Sequence, residues 1–166
     1  VAHDYGFRTC LDRMLDSPAD PAQSALALVE ASIEHMFGDA VLVSHAIVRQ
    51  WDSDNPMTLS AAGLGRLRGR LPDTLLVTDD MQMQGLQRAM GTREASLRSL
   101  QAGIDMLCIG NNLLDQEQEM AAVAEYVGES LRDGLLSRPT IEKSIARVGK
   151  RKALLTGGTP WMPGAN

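Results

Sequence analysis

Basic charge is in short supply in this chain. Sixteen Lys and Arg stand against 21 Asp and Glu, a net charge of -5 over 166 residues. A nucleic-acid binder normally presents a basic face to the phosphates, so no nucleic-acid partner is expected. Long apolar runs are also missing. None approaches the ~20 residues that a membrane-spanning helix needs, and no charged-then-apolar amino terminus marks a signal peptide. Cysteine is nearly absent: Cys10 and Cys108 lie far apart, without metal-type spacing. They read as reduced thiols of a cytoplasmic protein. His3, His35 and His45 are scattered, so no metal site and no cofactor is expected. Gly63-Leu64-Gly65 falls inside a predicted helix and is not a phosphate-binding GxGxxG loop. There is no internal repeat and no low-complexity segment.

What is present is enough chain for one domain with a real core. Ala25, Leu28, Val29, Ile33 and Met36 recur at helical spacing over 21–36. A strand is predicted from Ala40 to Ser44, ending at His45, then a polar loop over 49–58. Ser60 is placed to cap a helix running to Arg70. A strand over 75–81 comes next. Thr92 is read as the cap of a helix through Gln101, which Gly103 stops in a left-handed conformation. Asp105 to Ile109 is a third short strand, closed by Gly110-Asn111-Asn112. Amphipathic helices over about 115–132 and 140–155 follow, and 157–166 is a loose Gly/Pro-rich tail. Strands alternating with helices imply parallel pairing. Three such strands cannot close a barrel, and they leave two sheet edges free for self-association.

The most informative stretch is Leu75-Leu76-Val77-Thr78-Asp79-Asp80-Met81, a buried-strand pattern that ends in two carboxylates. In α/β proteins chemistry gathers at the carboxyl ends of parallel strands. A carboxylate there has rigid support and faces a ligand, although strand-end carboxylates also serve as helix caps.

Several segments, in order, resemble glycoside hydrolase family 3. Val41-Leu42-Val43-Ser44-His45 resembles its strand ending in Ala-His, and Asn55-Pro56-Met57-Thr58-Leu59-Ser60 its Pro-Ala-Thr-Leu-Ser segment. Leu67-Arg68-Gly69-Arg70-Leu71 is similar to its Leu-Arg-Gly-Glu-Leu. Val77-Thr78-Asp79-Asp80-Met81, with Met83, resembles its Ser/Thr-Asp-Asp-Leu-Ser-Met signature. Ala102-Gly103-Ile104-Asp105-Met106-Leu107 is similar to its Ala-Gly-Ala-Asp-Met-Leu strand. Ile141, Ser144, Arg147 and Val148 fit its final helix. The resemblance implies an α/β fold: a partial (β/α)8 TIM barrel made of the last three βα units plus carboxyl-terminal helices. Residues 1–156 would form that portion and 157–166 the tail.

The same resemblance implies a retaining β-glycosidase, exo-acting on carbohydrate, β-N-acetylhexosaminidase- or β-glucosidase-like, on a truncated chain. Thr-Asp-Asp-Met matches the hexosaminidase branch better than the Ser-Asp-Trp common in β-glucosidases, and that branch implies cell-wall recycling in the cytoplasm. Asp79 takes the nucleophile position of a covalent mechanism. Asp80 would orient the loop or cap the next helix. Asp80, Met81, His45 and Asn111 are the candidate substrate-binding residues. The family's general acid/base His falls on His3 in one register, with Val1 on its Asp partner. Another register puts Asp4 on that His. His45 reads either as support for the site from the neighbouring strand or as a buried His bonded to a loop. Trp51 reads as a sugar-stacking ring or as packing.

The chain departs from the family in three places. It lacks the sugar-gripping Lys-His-Phe-Pro-Gly-His-Gly segment, it begins near the acid/base loop, and Leu71-Pro72-Asp73-Thr74 is a shortened loop before the signature strand. Two other functions compete. One is a catalytically inactive partial barrel acting as a binding or interaction module. The other is a phosphoacceptor receiver using Asp80, opposed by the missing Lys-Pro after the third strand.

Overall fold

The structure, a computed structural model, describes residues 39–87, 89–110 and 116–157. The helix expected over 21–36, His3, Asn111 and most of the tail lie outside them. In chain order the elements are β1 (Ala40–Val43), a 3-10 turn over Met57–Leu59, α1 (Ala61–Arg70), β2 (Leu75–Asp80), α2 (Gln84–Gln87), α3 (Thr92–Ala102), β3 (Met106–Cys108), α4 (Gln116–Arg132) and α5 (Arg138–Leu155).

The three strands form one sheet in the order β1-β2-β3, and both pairings are parallel. Parallel neighbours need a crossover long enough for a helix, and α1 and α3 lie in those crossovers. This is the α/β arrangement expected of consecutive βα units. Each strand is slightly shorter than its apolar run. The backbone nonetheless continues to pair at the ends, with Asp105 N–H donating to Leu76 O and Met81 N–H to Cys108 O, both at 2.9 Å.

Local chemistry sets the helix ends. Ser60 Oγ accepts from Gly63 N–H at 3.0 Å and caps α1. A Cβ at Gly63 would sit 2.6 Å from Met57 Sδ, so the turn packs closely on α1 at that point. Gly103, with φ 111°, ends α3 in the left-handed region. Thr92, expected as the cap of α3, is instead its first residue, and Gly91 occupies the cap. The Thr92 hydroxyl accepts from Gln87 Nε2 at 2.6 Å, so it is engaged elsewhere.

Strand alternation separates two faces. Val41, Val43 and Leu76 pack with Met57, Leu64, Leu67 and Ile104 between the sheet and its helices. Burying each such aliphatic side chain contributes about 1.5–3 kcal/mol. A second cluster, Leu59, Met81, Leu86 and Ala95, lies beneath the carboxyl end of β2. A third joins Leu97, Leu100 and Leu136 to Tyr126, Leu131 and Ile141. The opposite face is open in part among the described residues: Leu75 on it is buried and Val77 half-buried. Leu42, Val77 and Met106 stand level across the sheet by register, and Leu42 is 65% exposed and Met106 40%.

The amino ends of the strands are braced by α5. Arg151 pairs with Asp39, Lys150 with Asp73 at 3.4 Å, and Arg147 with Asp105 at 2.7 Å. Asp39 and Asp105 immediately precede their strands, and Asp73 lies two residues before β2. The Lys150–Asp73 pair is exposed on both sides and worth little, while in the Arg151–Asp39 pair the carboxylate is exposed and the guanidinium half-buried. Asp105 differs, because its side chain is fully buried. Among the described residues no helix is long and apolar enough to cross a membrane.

Candidate active site

The carboxyl end of β2 carries Asp79 and Asp80 with different surroundings. By strand alternation Asp79 shares the open face with Val77, while Asp80 follows Leu76 and Thr78 toward the packed face. Asp79 Oδ1 accepts the N–H of Asp80 at 2.9 Å. Its Oδ2 has no hydrogen-bond partner among the described residues, so at this half-buried strand end one oxygen is held and the other is left unbonded.

Asp80 is held through its main chain and one carboxylate oxygen, while its Oδ2 is buried with no hydrogen-bond partner among the described residues. Its Oδ1 accepts Gln82 N–H at 2.9 Å and Gly110 N–H at 3.4 Å. The first contact shapes the turn after β2, and the second draws in the end of β3. Its carbonyl oxygen lies 3.0 Å from His45 Nε2. A carbonyl only accepts, so that nitrogen carries the hydrogen. His45 Nδ1 lies 2.7 Å from Thr58 Oγ1, and in the neutral ring it accepts from the threonine hydroxyl. Both ring nitrogens of His45 are therefore engaged within the protein, which favours the supporting role over direct contact with a sugar.

Met81, expected at the substrate surface, is wholly buried with Leu59, Leu86 and Ala95. It supports the strand end from beneath, because the strand ends at Asp80 and the turn that follows breaks the alternation and carries its side chain into the helix layer. Met83 is the exposed methionine of the pair, at 43%. Asn111 and His3 lie outside the described residues. Trp51 packs on the main core, with the Arg66 guanidinium 5.7 Å from its ring centroid, so one face of the ring is taken.

Two contributors were not singled out by sequence reasoning. Thr58 is completely buried in the turn before α1, and the signal for it was only its place in a motif. Gln87 donates to Met81 O at 3.0 Å as well as to Thr92, which pins the segment after Asp80. Nothing in the spacing around Gln87 marks it. Among the described residues no group of His, Cys, Asp and Glu is placed to hold a metal ion.

Residues 22–150 match the model of the glycosyl hydrolase family 3 N-terminal domain. The β-hexosaminidase LpqI of Mycobacterium tuberculosis is 32% identical over 119 residues, covering 68% of this chain and 29% of LpqI. This chain thus spans about three-tenths of the length of the curated relatives it matches. The structure of M. tuberculosis LpqI superposes with a TM-score of 0.64 at 26% identity, over 85% of this chain and 40% of that one. A family 3 β-N-acetylglucosaminidase from Paenibacillus sp. gives 0.66 at 24% identity, over 90% and 29%.

Proposed function

Because this chain belongs to glycosyl hydrolase family 3, whose N-terminal domain is a TIM-barrel-like α/β fold, we propose that it supplies the nucleophile-bearing part of a retaining β-glycosidase. Its substrate is a carbohydrate, and the β-hexosaminidase relative favours a terminal N-acetylhexosamine. The observation that carries the reading is Asp79 on the open face at the carboxyl end of β2, with Oδ1 held by Asp80 N–H.

In this mechanism Asp79 Oδ2 attacks the anomeric carbon from the face opposite the leaving group. A C–O ester bond forms to the sugar as the glycosidic C–O bond breaks. The leaving oxygen takes a proton from a general acid, for which His3 is the candidate in this chain. Water then attacks the same carbon and gives its proton to that base. The Asp79 carboxylate leaves, and two inversions produce net retention. Holding one oxygen limits the carboxylate's rotation, so less entropy is lost on reaching the attack geometry. Asp80, Met81, His45 and Asn111 stay in the proposal as residues that shape the binding end. For Met81 and His45 the part is support from below and beside.

An activated 5-fluoro glycoside that traps the glycosyl-enzyme tests this. In the enzyme containing this chain, peptide mapping is expected to place the sugar on Asp79. A label on Asp80, or turnover without any trapped intermediate, overturns the assignment.

One observation favours a second reading, a partial barrel that acts by association. Leu42 and Met106 are exposed on the open face, and β1 and β3 each pair on one side only among the described residues. Sedimentation of this chain decides: that reading expects dimers or larger at micromolar concentration, and a monomer removes it.

A further inference from the structure

The main-chain ladder between β1 and β2 ends at Val43↔Thr78. Two residues further along, the register brings His45 level with Asp80. At that level a side chain replaces main-chain pairing, since the His45 Nε2–H donates to Asp80 O at 3.0 Å. Asp80 therefore has both flanking peptide groups engaged. Its N–H goes to Asp79 Oδ1 and its C=O is held by His45, while its carboxylate binds Gln82 and Gly110 N–H. Its φ and ψ have little freedom left, so neither does the N–H that aims the Asp79 carboxylate.

Thr58 extends this support into the core. It is fully buried, in a turn whose Met57 N–H donates to Ala46 O at 2.9 Å. That bond ties the turn to the residue after His45, and Ser60 on the far side of the turn caps α1. The Asp80 carbonyl selects the ring form with hydrogen on Nε2, and the Thr58 hydroxyl at 2.7 Å donates to the Nδ1 that this form leaves as an acceptor, which holds the ring plane. We propose that the Thr58–His45 pair is a positioning device: it fixes the Asp80 backbone and thereby sets the orientation of the Asp79 carboxylate. The inference rests on Asp79 being the nucleophile, and its geometric part stands apart from that reading.

The test compares Thr58→Val, which keeps the shape and removes the hydroxyl, with Thr58→Ser, which keeps the hydroxyl. Nitrogen NMR of His45 and hydrogen exchange of the Asp80 amide are read on this chain. Trapping by the 5-fluoro glycoside is read on the enzyme that contains it. The wild-type ring is expected as a single Nε2–H tautomer. In Thr58→Val the Nδ1 resonance shifts as that nitrogen loses its hydrogen bond, and Asp80 amide exchange quickens by roughly tenfold relative to amides of α3. The rate of trapping falls by on the order of 10- to 100-fold with inactivator affinity little changed, and Thr58→Ser recovers most of the loss. A merely structural role would lower the melting temperature and the labelled fraction, with the rate per folded molecule preserved; that pattern overturns the proposal. A wild-type Nδ1–H tautomer, or unchanged Asp80 exchange in Thr58→Val, also overturns it. If wild type is never labelled, the glycosidase reading fails, and the tautomer and exchange results alone decide whether the pair fixes Asp80.

Discussion

Arg147 clasps Asp105 from across the fold: its Nε and Nη2 both donate to Oδ1, at 2.9 and 2.7 Å. Asp105 Oδ2 is taken by Arg68 at 2.6 Å and by Leu76 N–H at 2.9 Å. One fully buried carboxylate thus joins α1, α5, β2 and the start of β3. Its position is at the amino ends of the strands, where features of this fold serve stability, while Asp79 occupies the carboxyl ends where chemistry gathers.

Asp105→Asn is therefore expected to destabilise the chain by about 3–5 kcal/mol, the range seen when one partner of a buried ion pair is removed. Urea denaturation measures it. A loss below about 1 kcal/mol would show that the cluster contributes no more than an exposed pair.

Acid should act through the same residue. Burial pushes the Asp105 carboxyl up, but the hydrogen bonds from Arg147, Leu76 N–H and Arg68, with the Arg68 charge, outweigh it and hold the carboxyl below its ordinary value. A depressed folded-state value means the unfolded chain binds the proton more readily. The stabilisation is then fully present above the unfolded value of about 3.9 and is lost as pH falls through the lower folded value. Urea midpoints should drop on acidification below about pH 4, and Asp105→Asn should flatten that part of the profile.

The two faces of the sheet should respond differently to substitution. Leu76→Ala, at a fully buried position, is expected to cost about 2–5 kcal/mol. Leu42→Ser, on the open face, should cost under about 1 kcal/mol and should weaken any self-association. Equal losses in denaturation would mean the open face is packed.

Much of this architecture was legible in the sequence, for local reasons. Three short apolar runs separated by helical periodicity gave the strands, and Ser60 and Gly103 act at the helix ends as their chemistry requires. Local rules misled where a side chain had a competing partner or a position was better tolerated than it reads. Thr92 bonds Gln87 and so does not cap. Helix α5 begins at Arg138, before Pro139, because proline in a first turn forfeits no helical hydrogen bond. Four-residue α2 is too short to leave a periodic signal.

At the site, Asp79 was legible as a strand-end carboxylate, but the partners of His45 were not. Thr58 and Asp80 are 13 and 35 residues away from it, and only tertiary packing brings them together, the parallel register for Asp80 and the turn over 57–59 for Thr58. The Asp105–Arg147 contact spans 42 residues and was hidden for the same reason. In the sequence the two residues stand in separate motifs.

The identity of the nucleophile is tested most directly by azide rescue in the enzyme that contains this chain. Asp79→Ala removes the attacking carboxylate and leaves room for a small anion. With an activated β-glycoside, its turnover should fall by roughly a thousandfold or more. Azide should restore it and yield an α-glycosyl azide, the product of a single inversion. Asp80→Ala should give no such adduct. Wild-type turnover by Asp79→Ala, or an α-glycosyl azide from Asp80→Ala instead, would contradict the account.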